Sequence, residues 1–433
     1  MGHRMTDKEN LQEQPTANLP ETGEEGEEAI RPPKPIRRIS LAAAIFLALI
    51  LCTAVFLSTY TVMMVQMNRA LNEQKEERLK YSKLDALFSQ IREEYVHEYN
   101  EDELWEGVYA GLLSAVGDPY SEYMTAEEYA SYIADRSGSY VGIGIHVVFD
   151  LKKSAIAIYR IVPGSPAEQA DLRAGDLIVG VEGNAVTAAA YQEVVDLILG
   201  EEGSEVQLDI RRGEETLKKR VKRAKVESQN VLYERLDGDV AYITILSFAD
   251  RTVTKQFEKA LEQAKADGCK SYLFDVRNNP GGSLDVICNV LDLLLPKGVI
   301  VRIVNADHQE TTRDSDAEHF LDAPMAVLCN GSTASAAELF TADLRDYGLA
   351  TLVGETTYGK GTMQTISPMK DGSAVKLSTS FYNPMCGVSY DGVGIPPDVE
   401  VKLTADEASR FYLLSHEEDP QLQAALKVLR NAS

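Results

Sequence analysis

Between Leu41 and Val65 the chain runs for 25 residues without a charged side chain. A helix rises 1.5 Å per residue, so this stretch is long enough to cross a hydrocarbon core of about 30 Å. It exceeds the roughly 7 to 15 apolar residues of a signal-peptide core, and no small-residue cleavage site follows it. It therefore reads as an uncleaved, single-pass signal anchor in the cell membrane, over 41–65, and the rest of the chain must fold on one side of it or the other. Residues 1–40 come first. Met1 to Ile30 is polar, rich in Glu and aperiodic, the composition of a disordered tail. Arg31, Lys34, Arg37 and Arg38 then bring four positive charges up to the apolar segment. Arg69, Lys75, Arg78 and Lys80 match them on the far side, so only the adjacent Arg37-Arg38 pair favours a cytoplasmic N-terminus. Cys52 follows the bulky Leu51, which suits a lipid-facing thiol better than a lipoprotein processing site.

Beyond the anchor the hydrophobic period changes twice. Over 68–136 it is helical, with Leu79, Leu84, Leu87, Phe88 and Ile91 recurring mostly at three- and four-residue intervals, then Leu104 to Val116 closed by the turn Gly117 to Ser121. Over 139–222 it shortens to alternating strands and turns. From 231 to 401 strands and helices alternate: Val240 to Leu246, a helix from Thr252 to Ala266, Ser271 to Val276, a helix from Asp285 to Leu295, and late strands at Val375 to Phe381 and Asp391 to Val401. Such alternation signals a layered α/β core. Residues 402–433 return to helix between Glu407 and Asn431. The expected class is α+β and multidomain, and 433 residues at 44% hydrophobic supply enough apolar surface for two or three domains.

Three stretches of the α/β segment carry chemistry. The apolar run Met325 to Cys329 breaks at Asn330-Gly-Ser-Thr-Ala-Ser335 and restarts as a helix at Ala336. A strand that turns sharply into a helix exposes one side chain beside the free N–H groups of the helix start, the place of a nucleophile, and Ser335 occupies it. Taken alone, such a junction is more simply a helix cap. The second stretch, Asp275-Val-Arg277-Asn-Asn-Pro280-Gly281-Gly282, follows another apolar strand. The third, Gly354 to Gln364, places Lys360 25 residues after Ser335 and Gln364 four residues later. Order and spacing of the three together resemble the carboxyl-terminal processing proteases, also called tail-specific proteases, over about Tyr95 to Val401.

That resemblance implies a ClpP/crotonase-like core with Ser335 as nucleophile, Lys360 as general base and Gln364 orienting the lysine. A serine hydroxyl needs a base, and none of the six histidines falls in a motif that places it beside Ser335; His308 and His319, nearest in sequence, lie in a polar stretch. An unperturbed lysine is only about 0.1% neutral at pH 7.4, so burial must lower its pKa well below the ordinary lysine value, at a differential cost of about 3 to 4 kcal/mol. Gln364 suits the task because a carboxylate there would stabilise the ammonium. Gly281 or Gly282, with Gly281 the reading taken, and Ala336 are the expected oxyanion donors; Asp275 and Arg277 are expected to hold that turn.

The segment 139–222 resembles a PDZ domain on Val141-Gly142-Ile143-Gly144-Ile, Pro163-Gly-Ser-Pro-Ala-Glu-Gln and Gly175 to Gly183. Val141, Gly142, Ile143 and Gly144 are the expected peptide-binding loop, where convergent backbone N–H groups would meet a terminal carboxylate and the peptide would add as an edge strand. Where relatives show Ile-Arg-Gly this chain has Ile198-Leu199-Gly200, so a coupling arginine is not expected there. The resemblance further implies protein substrates recognised by their C-terminal tails, a catalytic domain outside the cytoplasm, a chain end packed back on the N-terminal region, and a homodimer built with the helical segment; a plain membrane-proximal stalk is the competing reading of that segment.

Composition removes other classes. A net charge of −24 argues against nucleic acid. The five cysteines, 52, 269, 288, 329 and 386, include no CxxC pair, and the histidines are scattered, so no metal or cofactor is implied; Cys269, Cys288 and Cys329 border apolar runs and are expected as buried thiols. Two alternatives stay open: a non-catalytic PDZ scaffold, against which the intact Ser335, Lys360 and Gln364 speak, and a Ser-Lys amidase or esterase for small substrates, against which the PDZ segment speaks.

Overall fold

The computed structural model describes residues 40–316 and 318–432, so the tail expected to be disordered and its four positive charges lie outside the described residues. The chain forms two units, divided between Tyr99 and Asn100. In the first, the helix Leu41–Glu94 runs unbroken for 54 residues, capped by Ser40 Oγ, which accepts the Ala43 N–H at 3.3 Å. No Gly or Pro interrupts the sequence between Val65 and Glu94, so the apolar segment and the amphipathic pattern after it merge into one helix rather than two elements. Leu41–Arg69 is long and apolar enough to cross a membrane.

The second unit opens with two short helices. Glu101–Ser114 is capped by Asn100 with Glu101, Asp102 and Glu103 in its first turn, where carboxylates favour the helix dipole. Ala126–Asp135 begins at a Thr125/Glu128 capping box. A two-stranded ribbon, Ser139–Gly142 against Ala224–Glu227, then leads into and out of an antiparallel sheet built on Ile145–Asp150, Ala155–Ile161, Leu177–Val181, Glu205–Arg212 and Glu215–Lys222, in that spatial order. Alternate residues such as Ile156, Ile158, Val206, Leu208 and Ile210 fill its core.

The remainder is a layered α/β assembly. The hairpin Val231–Leu236/Val240–Ile245 continues through the parallel strands Ser271–Asp275, Met325–Cys329, Ala350–Gly354 and Val399–Glu400. The central two strands are buried at every position, as a sheet covered on both faces requires. The helices Val253–Ala266, Leu284–Asp292 and Ala336–Asp346 cover one face, with Phe257, Phe274 and Phe340 in contact at the centre. The C-terminal helix Pro420–Ala432 covers the other through Leu422, Ala425, Leu426 and Leu429. Its apolar stripe is spent on the sheet. A second, antiparallel sheet joins Glu122–Met124, Ala374–Asn383, Gly298–Asn305 and Glu310–Ser315, with Thr362–Pro368 pairing on Ala374–Asn383.

Candidate active site

Ser335 sits where the strand Met325–Cys329 gives way to the helix Ala336–Asp346, with φ 58° and ψ −122°. That backbone is strained for a residue with a Cβ, a cost of about 1 to 3 kcal/mol that the surroundings must hold in place. They do so from two sides. Below, Asn278 and Asn330 bond each other twice, Asn278 N–H to Asn330 Oδ1 at 3.0 Å and Asn330 Nδ2 to Asn278 Oδ1 at 2.9 Å. Thr333 Oγ1 donates to the Val276 carbonyl at 2.9 Å and Ala334 N–H to the Asn279 carbonyl at 2.9 Å, locking the serine turn onto the glycine turn. On the other side the fully buried Glu338 carboxylate accepts four donors: Ser335 N–H at 2.9 Å, Thr357 Oγ1 at 2.6 Å, Gly359 N–H at 2.6 Å and Lys360 N–H at 2.8 Å. One carboxylate thus fixes the backbones of both Ser335 and Lys360. Sequence reasoning missed it, although Ser335-x-x-Glu338 has the spacing of a capping box.

Ser335, Lys360 and Gln364 line one cleft of about 410 Å³, together with Gly281, Gly282, Ala336 and Tyr382. Among the described residues no histidine lines it. The three polar side chains are not bonded to one another. Ser335 Oγ accepts the phenol proton of buried Tyr382 at 3.0 Å; that hydroxyl also lies 3.1 Å from the Lys360 carbonyl, and burial raises its pKa above the usual phenol range. Lys360 Nζ lies 4.2 Å from the centroid of the Tyr120 ring, a cation–π contact. Burial and the nearby Lys376 ammonium lower the Lys360 pKa below the ordinary lysine value, with Asp118, Glu122 and Glu338 pulling the other way. Gln364 Nε2 donates to Ser378 Oγ at 2.9 Å and to Thr362.

The glycine turn differs from expectation at one atom. The Gly281 N–H, the expected oxyanion donor, is already donated to Asn279 Oδ1 at 2.8 Å, so in this structure it shapes the turn instead. Its φ of 95° and its place against Ser335 leave no room for a side chain: a Cβ there would stand 2.7 Å from Ser335 Cβ and 2.8 Å from the Ala336 nitrogen. Arg277 is structural, as expected. Nearly fully buried, it pairs with Asp275 at 2.6 Å and Asp419 at 2.8 Å, and its guanidinium lies over Phe411. It ties the turn to the C-terminal helix. Cys288 and Cys329 are buried with thiols pushed up to about 12, while Cys269 is partly exposed.

This arrangement of strained serine, buried lysine with a lowered pKa and paired turns lies in the part of the chain that matches peptidase family S41, residues 239–401. A PDZ domain profile matches 158–212 and the N-terminal domain of the activating protease CtpB matches 49–128. The chain is 32% identical to the carboxy-terminal processing protease CtpA of Bacillus subtilis over 84% of its own length and 78% of the relative's. It belongs to the carboxy-terminal processing protease family. A CtpA-like serine protease of Staphylococcus aureus is 33% identical over 83% of the protease and 72% of that chain. The crystal structure of an S41 family protein from Bacteroides fragilis shares the fold with a TM-score of 0.55 at 21% identity, covering 75% of the protease and 90% of that chain.

The PDZ-like sheet of the protease places Val141 and Gly142 at the end of the entry ribbon and Ile143 and Gly144 just before the edge strand Ile145–Asp150. Ile143 is buried in the domain core. Gly144, at φ 81°, packs where a Cβ would stand 2.3 Å from Ser165 Cβ, so its lack of a side chain serves the packing of the loop on Ser165. Arg223, just before the exit ribbon, donates to the Leu197 and Ile198 carbonyls at 2.7 and 3.0 Å.

Proposed function

We propose that this serine protease is a membrane-anchored endopeptidase that cuts extracytoplasmic proteins near their C-termini through a Ser335 acyl-enzyme, with Lys360 as base. The observation that carries the reading is the strained Ser335 sharing a histidine-free cleft with a lysine whose pKa is lowered by burial. Lys360 accepts the Oγ proton as Oγ attacks the scissile carbonyl, returns it to the leaving amine, and then takes a proton from the water that releases the acyl group. To begin, its amine leaves the Tyr120 ring for Ser335, and Gln364 turns from Ser378 to orient it. Ala336 N–H at the helix start is one oxyanion donor. Gly282 is the second, because the Gly281 carbonyl and Ser283 N–H both bond Phe248, which turns the Gly282 N–H to the opposite side.

In this reading the chain divides into a cytoplasmic tail (1–40), an anchor (41–65), a helical region serving a homodimer (68–136), a PDZ domain (139–222), a ClpP/crotonase-like core (231–401) and a C-terminal region (402–433). A substrate tail adds beside Ile145–Asp150, with its carboxylate at Val141 to Gly144. Ser335→Ala in the full chain is the test: cleavage of a protein with a free C-terminal tail should vanish while the thermal midpoint stays near wild type, and unchanged cleavage would refute the assignment.

A further inference from the structure

The cleft is charged against the grain of the chain. The sequence carries 43 basic and 67 acidic residues, yet the described residues lining the cleft include Arg136, Lys360 and Lys376 and no Asp or Glu. Arg136 and Lys376 face one ring, that of Tyr132, at 4.4 and 5.9 Å from its centroid. Lys376 shares its charge with Glu122 at 2.8 Å. Among the described residues Arg136 has the Tyr132 ring and no carboxylate partner. A half-buried guanidinium without a counter-ion presents a planar fork of N–H donors that matches a carboxylate, and a concave wall focuses its field on incoming anions.

We propose that this end of the cleft is a carboxylate subsite: Arg136, backed by Tyr132 and Lys376, receives a carboxylate of the peptide being cut. The protease then favours substrates with negative charge within a few residues of the scissile bond, and the acid-free lining keeps cationic segments out. Two sources supply the same chemistry, the free α-carboxylate of a short tail and an Asp or Glu side chain. The effect on cleavage rests on the Ser335 reading; the binding does not.

The test offers the full chain, in detergent, four versions of one fluorogenic peptide, with Glu or Gln near the cleaved bond and a free or amidated C-terminus. We expect kcat/KM about tenfold higher for carboxylate-bearing versions, a ratio that shrinks with added salt. Arg136→Gln should bring that ratio close to one, Arg136→Lys should keep part of it, and Arg136→Glu should invert it toward a peptide carrying Lys. Whichever arm, Glu/Gln or acid/amide, loses its ratio in Arg136→Gln identifies the source and separates it from capture by the PDZ domain. Anisotropy of the same labelled peptides on Ser335→Ala reads the subsite without turnover, and Arg136→Gln in that background should weaken acid-peptide binding about tenfold. Equal handling of all four peptides, or a ratio that survives in Arg136→Gln, overturns the subsite and leaves Ser335 untouched. An Arg136-dependent ratio in an enzyme that Ser335→Ala does not silence upholds the subsite and overturns the nucleophile.

Discussion

The buried carboxylate of Glu338 accepts the backbone N–H of Lys360, 22 residues further along the chain, at 2.8 Å. With Ser335 N–H, Thr357 Oγ1 and Gly359 N–H on the same carboxylate, it is an acceptor-only hub. Glu338→Gln turns one of its oxygens into an NH₂ that faces donors, leaving buried N–H groups unpaired. We expect a loss of about 2 to 4 kcal/mol, read as a lower thermal or denaturant midpoint, together with loss of activity.

The Tyr120 ring lies 4.2 Å from the Lys360 ammonium, a contact that favours the charged form and occupies the side chain. Tyr120→Leu removes both effects, lowering the pKa of Lys360 and freeing its side chain. Steady-state kinetics at neutral pH should show kcat/KM rising by roughly threefold to tenfold, the equivalent of about 1 kcal/mol.

Lys376 acts on Lys360 in the opposite sense. Its ammonium lowers the Lys360 pKa, so Lys376→Gln should move the rising limb of the pH–kcat/KM profile to higher pH and cut the rate at pH 7 by about threefold to tenfold. Lys376→Arg keeps the charge and should keep the profile.

Much of this site was legible in the sequence. The strand-to-helix break at Ser335 and the strand before Asp275 are local signals, and the apolar runs around them appear in the sheet within a residue or two of expectation. Glu338 was legible too, as the fourth residue of a capping pattern, but only the fold shows that its second oxygen is spent on Thr357 and Gly359. Tyr120, Lys376 and Tyr382 carried no signal. Tyr120 reaches Lys360 from a turn far upstream, and Lys376 and Tyr382 reach the cleft from one strand of the second sheet, whose pairing partners are distant in sequence. The Gly281 N–H could not be read either, because Asn279 Oδ1 competes for it two residues away. The helix runs on past Val65 because no residue there breaks it.

In the PDZ-like domain the packing of Gly144 on Ser165 makes a graded prediction. Gly144→Ala combines φ 81° with a Cβ 2.3 Å from Ser165 Cβ and should cost about 2 to 4 kcal/mol, measured by hydrogen exchange of Ile156 and Ile158. Gly164→Ala, at φ 75° with nothing within 4 Å, should cost only about 1 kcal/mol.

The assignment of Lys360 as base is tested most directly by the pH dependence of kcat/KM for the wild type beside Lys360→Arg. A lysine base works only when neutral, so the wild-type profile should rise through one ionisation below the ordinary lysine pKa of 10.5, and activity should be lost as pH falls through it. Lys360→Arg keeps a positive charge at every usable pH and should be as inactive as Lys360→Ala. An active Lys360→Arg enzyme, or a wild-type profile that Lys360→Ala leaves in place, would contradict the account.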